Sequence, residues 1–409
     1  MKIRTLTFYS NYYNHHQKAL CEAFYELLGD GFTFVETMPM ESFRTEMGWG
    51  EAERPYLLKT YVSDENKEKA MRLGFESDLV IMGTAPEEFI EKRLDNNKIT
   101  FRYSERPLKE GFIKFFIPRL TKKYIHLHVR NRKKPIYILG ASAFTALDYK
   151  KMFGSYNNKC YKFGYFPVHK EYDIDELMRK KAAIANSVPT ILWMGRMLRL
   201  KHPEILVKAC SELRQEGYDF TLKMVGEGEM RPKIEEMIKE MGLMDITEIR
   251  DFYKPDEARD IMSEAQIYVM TSDKLEGWGS VIYEALNAGC AEVASHVCGA
   301  TPWLIQNGTN GLIFRSENVK SLTAQLRSLL DTPSLMEKFG RNAYDNMHRL
   351  WNPQVAATRV IGLYEYISSE LDRMDDREKK AAGYAVTGSP YKDGPCSVAG
   401  YLKNNWIND

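Results

Sequence analysis

Thr190-Ile191-Leu192-Trp193-Met194-Gly195-Arg196-Met197-Leu198-Arg199-Leu200-Lys201 opens the second half of this chain. A short, mostly apolar β-type run passes into a glycine, then a cationic loop, and a helical pattern follows over His202–Glu216. A strand with so little polar character is covered on both faces, which places it in a parallel sheet flanked by helices. The unit repeats downstream. Strands are expected at Phe220–Val225, Glu248–Arg250, Ile267–Thr271 and Glu292–Ser295, with helices at Arg231–Met241, Pro255–Glu264, Val281–Ala288 and Val319–Leu330. Upstream, Ile3–Tyr9, Thr33–Thr37, Leu79–Met82, Lys98–Tyr103 and Ile136–Leu139 read as strands of the same scheme.

The fold class is therefore α/β, with two Rossmann-like domains whose parallel sheets face each other across a cleft. The expected divisions are an N-terminal domain over 1–166, a polar linker with one short helix over 167–188 and a C-terminal domain over 189–350. A closing helix follows over 351–376, with a return to the N-terminal domain as one option, and then a tail over 377–409. The tail is rich in Gly and Pro and is expected to be flexible, unless Tyr384, Tyr391, Tyr401 and Trp406 find a surface. Ligands of open α/β sheets bind beyond the carboxyl ends of the strands, so the chemistry is expected in the strand-to-helix loops at the cleft.

Bulk properties exclude several classes. The 409 residues are 44% hydrophobic and 28% charged with a formal net charge of +1, so binding to nucleic acid by bulk attraction is excluded and any electrostatic partner must meet a local patch. The six cysteines form no C-x-x-C pair and no zinc spacing, which points to reduced thiols. No apolar run reaches the ~18 residues of a spanning helix. Met1–Tyr9 passes straight into a strand pattern without the features of a signal peptide, so a cytoplasmic location is expected, with a peripheral place at the inner membrane face as a further option. Asp173-Ile174-Asp175 spells D-x-D but lies in the linker, where it reads as a helix cap. Neither a metal nor a cofactor is expected.

Three loops could carry chemistry. Arg196 and Lys201 follow Gly195 at the end of a strand, where fixed cations could hold a diphosphate as its bond to a sugar breaks. Gly226 and Gly228 follow another strand in Val225-Gly226-Glu227-Gly228 and permit either close approach to a ligand or an ordinary turn. Glu276 and Glu284 bracket Gly277-Trp278-Gly279 at the opening of a helix, whose positive end attracts anions. Carboxylates there could read ribose and sugar hydroxyls, and a salt bridge on the helix face is the plainer alternative for Glu284.

The C-terminal half resembles the retaining, GT-B-fold glycosyltransferases of the "glycosyl transferases group 1" (family four) class. The resemblance rests on Gly195-Arg196…Lys201, Val225-Gly226-Glu227-Gly228, Glu276-Gly277-Trp278-Gly279…Glu284-Ala285-Leu286-Asn287-Ala288-Gly289 and Asn307-Gly308…Asn310-Gly311-Leu312. It implies donor binding by Gly195, Arg196, Lys201, Gly226, Gly277, Trp278, Gly279 and Glu284. Catalytic roles then fall to Arg196 and Lys201 on the diphosphate and to Glu276 on the transferred sugar, with Glu284 on the ribose. It also implies an acceptor bound by the N-terminal domain and a reaction that needs no divalent metal. The chain departs from the family at Trp278, at Ala291-Glu292-Val293 and at Cys298-Gly299-Ala300-Thr301-Pro302-Trp303.

On the N-terminal side the usual glycine-rich loop is replaced by Ser10-Asn11-Tyr12-Tyr13-Asn14-His15-His16-Gln17. His15 and His16 could hold an acceptor hydroxyl or phosphate, or serve in capping. Glu105 and Arg106 follow a strand; Glu105 could position or deprotonate an acceptor, or form an ion pair with Arg106 or a neighbour. The basic stretch 114–134, interleaved with aromatic and aliphatic residues, reads either as a surface for an anionic membrane or as a charged face over ordinary core.

The expected activity is transfer of a sugar from a nucleoside diphosphate sugar, UDP-linked, to the hydroxyl of a carbohydrate or lipid-linked acceptor. Cell-surface polysaccharide or glycolipid assembly is the expected setting. The alternatives are a nucleotide-sugar epimerase or hydrolase on the same fold and a non-catalytic nucleotide-sugar-binding protein.

Overall fold

The computed structural model describes residues 3–41, 53–185, 188–251 and 254–407. The chain divides into two units, Met1–Val168 with Trp351–Lys403, and His169–Leu350 with Asn404–Asp409.

The first unit is built on β1 (Leu6–Ser10), β2 (Phe32–Glu36), β3 (Leu57–Lys59), β4 (Leu79–Met82), β5 (Thr100–Ser104), β6 (Ile136–Gly140) and β7 (Cys160–Lys162). Their order in the sheet is β3-β2-β1-β4-β5-β6-β7, and every pairing is parallel. Parallel neighbours need crossovers, and these cover the faces; β1, β4 and β6 are accordingly buried at every residue. The helix His15–Leu28 starts at a capping box, in which the Asn14 side chain accepts from the His16 backbone and Gln17 reaches back to Asn14. This helix packs on Pro353–Asp372.

The C-terminal stretch is ordered by pairing rather than free. Val398 bridges Tyr161 on β7 in antiparallel fashion. Lys162 N donates to Ser397 O (2.8 Å), and Cys396 N to Lys162 O (2.7 Å). Cys396 and Val386 are buried, and Lys150 lies over the Tyr401 ring. The glycines and prolines shape turns around these contacts, so the tail as far as Lys403 is a packed part of the first unit, the alternative that its aromatics left open.

The second unit holds β8 (Thr190–Met194), β9 (Thr221–Val225), β10 (Thr247–Arg250), β11 (Ile267–Met270), β12 (Ala291–Ser295) and β13 (Gly311–Phe314). The sheet order is β10-β9-β8-β11-β12-β13, again all parallel. Alternate residues of five strands, among them Ile191, Trp193, Leu222, Met224 and Val293, form one core with the apolar faces of Pro203–Gln215, Arg231–Glu240 and Val319–Asp331. The helix Ile174–Ala185, in the stretch read as a linker, packs on Pro255–Glu264 and Ser334–Arg349. It buries Leu177, Met178 and Lys181. Asp173 caps it by accepting from the backbones of Asp175 and Glu176.

Candidate active site

Strand order in the second sheet reverses between β8 and β11: β9 and β10 lie to one side of β8, β12 and β13 beyond β11. A crevice opens at such a switch point, beyond the carboxyl ends of the two strands. The loops that leave β8 and β11 are 195–202 and 271–279, which contain Gly195, Arg196, Lys201, Glu276, Gly277, Trp278 and Gly279.

Backbone and side-chain bonds lace the two loops together. Asp273 N donates to Leu200 O (2.9 Å), and Thr271 Oγ1 to Lys201 O (2.5 Å). Trp193 Nε1, from the strand below, donates to Thr271 Oγ1 at 2.9 Å. Lys201 Nζ and Glu276 form an ion pair across the loops, with side chains 16% and 15% exposed. Ser272 Oγ donates to the same Glu276 oxygen at 3.3 Å. Arg196 is exposed, and no acid among the described residues pairs with it.

A third loop supports this arrangement from beneath. Gly195 N donates to Val225 O (3.0 Å), Met197 N to Glu227 O (2.7 Å) and Met230 N to Met197 O (2.9 Å). Gly226 has φ +138°, and a Cβ there would stand 1.9 Å from Gly195 O. The role visible for Gly226 is thus to let two strand-end loops touch.

Gly279 begins the helix Ser280–Asn287 in a left-handed conformation (φ 88°) with no side-chain cap. The first N–H groups of that helix therefore have no capping side chain, a geometry suited to an anion. Gly277 is buried. Trp278 is 1% exposed, its ring 5.9 Å from that of Trp303. It is core, and its carbonyl already accepts from Ala300 N (3.0 Å).

Glu284 lies on the same helix, and Arg259 Nη1 donates to its Oε1 at 3.3 Å. Burial pushes the Glu284 carboxyl above its usual range, with Arg259 pulling the other way. The salt bridge weighed as an alternative for Glu284 therefore exists, and it leaves much of the carboxylate's acceptor capacity unused.

His202 and Asp273 carried no sequence signal, and Glu292 stood out only as part of a family departure. His202 ends the β8 loop, with Nδ1 2.9 Å from Glu204 and Nε2 3.3 Å from Asp273. The Glu204 hydrogen bond, with Asp273 adding to it, holds its imidazole above the usual range against burial. Glu292, at one of the family departures, is fully buried on β12, and neither carboxyl oxygen has a hydrogen-bond partner among the described residues. Burial pushes it well above the ordinary carboxylate range.

In the first unit the switch point falls between β1 and β4. His15 and His16 follow the loop after β1 as the first residues of their helix, rings 3.9 Å apart. Burial, helped by His15, lowers the His16 pKa to about 3. A cavity of about 500 Å³ lies at the ends of β4 and β5, with Arg102, Glu105, Arg106, Tyr149 and Tyr165 on its wall. Glu105 accepts from Tyr165 OH (2.8 Å) and lies 3.9 Å from Lys109. Arg106 is buried, pairs with Asp148 (3.2 Å) and stacks on Phe144 at 4.7 Å. The partner of Arg106 is thus Asp148 rather than Glu105. Among the described residues, no group of three or more His, Cys, Asp or Glu is arranged to hold a metal ion.

Residues 174–346 match the family model described as glycosyl transferases group 1. An alpha-D-kanosaminyltransferase of Streptomyces kanamyceticus is 28% identical over 179 residues, 44% of this chain and 46% of that protein. A D-inositol 3-phosphate glycosyltransferase of Corynebacterium kroppenstedtii is 26% identical over 198 residues, 46% of this chain and 43% of that protein. The chain spans about half the length of the curated relatives it matches. Among solved structures, Anabaena Alr3699/HepE in complex with UDP superposes with a TM-score of 0.62 at 13% identity, covering 90% of this chain and 100% of that one. WaaG, a glycosyltransferase involved in lipopolysaccharide biosynthesis, gives 0.57 at 16% identity, covering 86% and 98%. Residues 174–346 are thus a glycosyl transferases group 1 domain, in a chain whose two Rossmann-like units have the GT-B fold.

Proposed function

We propose that this protein transfers a hexose-type sugar from a UDP-sugar to an acceptor hydroxyl, with retention and without a divalent metal. The observation that carries this reading is the Lys201–Glu276 pair, which joins the two loops at the switch point of the second sheet. The names of the curated relatives and the UDP bound to HepE support it.

In this reading Arg196 and Lys201 hold the diphosphate, together with the uncapped N–H groups at the start of Ser280–Asn287. Lys201 has three donors, so it can keep Glu276 and still reach a phosphate oxygen. Glu276 accepts from hydroxyls of the sugar and Glu284 from those of the ribose, while Arg259 fixes the Glu284 rotamer. The bond between the anomeric carbon and the phosphate oxygen breaks as the acceptor oxygen bonds to that carbon from the same face. The acceptor's proton passes to the departing phosphate. The acceptor is a carbohydrate or lipid-linked sugar of the cell surface, with Glu105 and the two histidines as its contacts.

The test is UDP release from a panel of UDP-hexoses, with and without acceptor sugars, in the presence of a chelator. Acceptor-dependent UDP release with a glycosylated product supports the reading. Interconversion of the sugar nucleotide without consumption of acceptor shows an epimerase, and binding without turnover shows a sensor.

A further inference from the structure

Residues 111–134 contain five Lys, three Arg and no Asp or Glu, while the whole chain is only +1, so the remaining residues together are net negative. The stretch folds as a 3-10 turn over Gly111–Phe116, a helix over Pro118–Tyr124 and a π turn over Ile125–Val129. One side of it is fastened to the first unit. Buried His128 bonds Tyr156 at 3.1 Å, while within the stretch Phe115 stacks on Tyr124 (5.4 Å). The other side is bare: Phe116 is 84% exposed, Ile113 66%, Ile117 50% and Phe112 49%. Single exposed apolar side chains are ordinary on a protein surface, but four large ones within six residues are not.

The cations around them are equally uncommitted. Lys134 pairs with Asp95, but Arg119, Lys122, Lys123, Arg130, Arg132 and Lys133 form no ion pair among the described residues. We propose that residues 111–134 are an interfacial anchor, with Phe112, Ile113, Phe116 and Ile117 in the boundary between headgroups and acyl chains of an anionic bilayer. The cations then lie over the lipid phosphates. Aromatic and aliphatic side chains ringed by Lys and Arg, with no acid among them, are complementary to such a surface on both counts. The proposal is independent of the reaction catalysed.

The experiment is sedimentation of the full chain with vesicles of phosphatidylcholine containing a minority of phosphatidylglycerol, beside vesicles of phosphatidylcholine alone. Binding is expected to the anionic vesicles only, and to weaken as salt rises. Phe116→Ser with Ile117→Ser is expected to lower binding roughly tenfold or more, and Arg119→Glu with Lys122→Glu about tenfold. These side chains are exposed, so melting should match wild type, and the charge pair remains informative if the apolar pair does not fold. Equal binding to both vesicle types, no binding to either, or vesicle binding unmoved by both variant pairs overturns the proposal. So does a wild-type dimer that Phe116→Ser converts to monomer without any lipid binding, which would make the patch a contact between copies of the chain.

Discussion

Gly226→Ala tests whether the candidate site depends on loop-to-loop contact. The new Cβ would stand 1.9 Å from Gly195 O and 2.9 Å from Gly195 C, at a φ of +138° that side chains rarely adopt. The contact is with backbone, so no rotamer change relieves it. The backbone strain costs about 1–3 kcal/mol and the forced displacement a further 1–3 kcal/mol. A total of roughly 2–6 kcal/mol corresponds to a melting shift of roughly 4–24 °C for a unit of this size. Gly242→Ala is the control: its φ is +67° with nothing within 4 Å of the added Cβ, so it carries only the left-handed penalty of about 1–2 kcal/mol. Because Gly195 adjoins Arg196, UDP affinity measured by calorimetry should fall with Gly226→Ala and hold with Gly242→Ala. A Gly226→Ala protein melting no lower than Gly242→Ala would mean that the close approach of the two loops is not needed for stability.

Arg196→Ala should leave melting within about 0.5 kcal/mol of wild type, since the side chain is exposed, and lower turnover ~10²–10³-fold; near-wild-type turnover with the true donor would remove Arg196 from the mechanism. In a double-mutant cycle of Lys201→Met and Glu276→Gln, the coupling energy for folding should be about 1 kcal/mol, because the pair is partly exposed, and a stability cycle that closes additively would show no interaction. His128, like His16, is held neutral by burial, with a pKa lowered to about 3. Its stabilising effect is therefore complete above about pH 6.5 and is lost as acidification charges the unfolded chain first, at roughly 1.4 kcal/mol per pH unit. Denaturation of His128→Gln between pH 6 and 5 should show a slope shallower by about that amount, and an unchanged slope would mean that His128 titrates normally in the folded state.

The fold was legible wherever strands were long enough to show their character. β1, β4, β6 and β8 are buried runs that only a covered sheet explains. β3 and β7 escaped because three residues are too few for a pattern, and β7 depends on Val398, far away in sequence. In the site, Lys201 and Glu276 announced themselves by type and place in loops, and the structure brings them into contact. Arg259 could not be foreseen as the partner of Glu284, since nothing local ties one helix to the next. Arg106, expected as an acceptor-side contact, lies on the cavity wall and is paired there with Asp148, a residue 42 positions on that no local pattern pointed to. For Trp278 the resemblance implied a donor contact, whereas tertiary packing buries the indole.

The helix Pro353–Asp372 and the Cys396–Ala399 segment complete the first unit although they follow residues 169–350 in the sequence. During synthesis, residues 1–168 emerge early but stay unfinished, with the packing face of His15–Leu28 and the rim of β7 uncovered. At roughly 5–20 residues per second, the wait for residue 399 is roughly ten to fifty seconds. The stretch 169–350, by contrast, is contiguous and can close first. The nascent chain is therefore expected to mature in reverse of its translation order, and its early half is the part in need of chaperone protection.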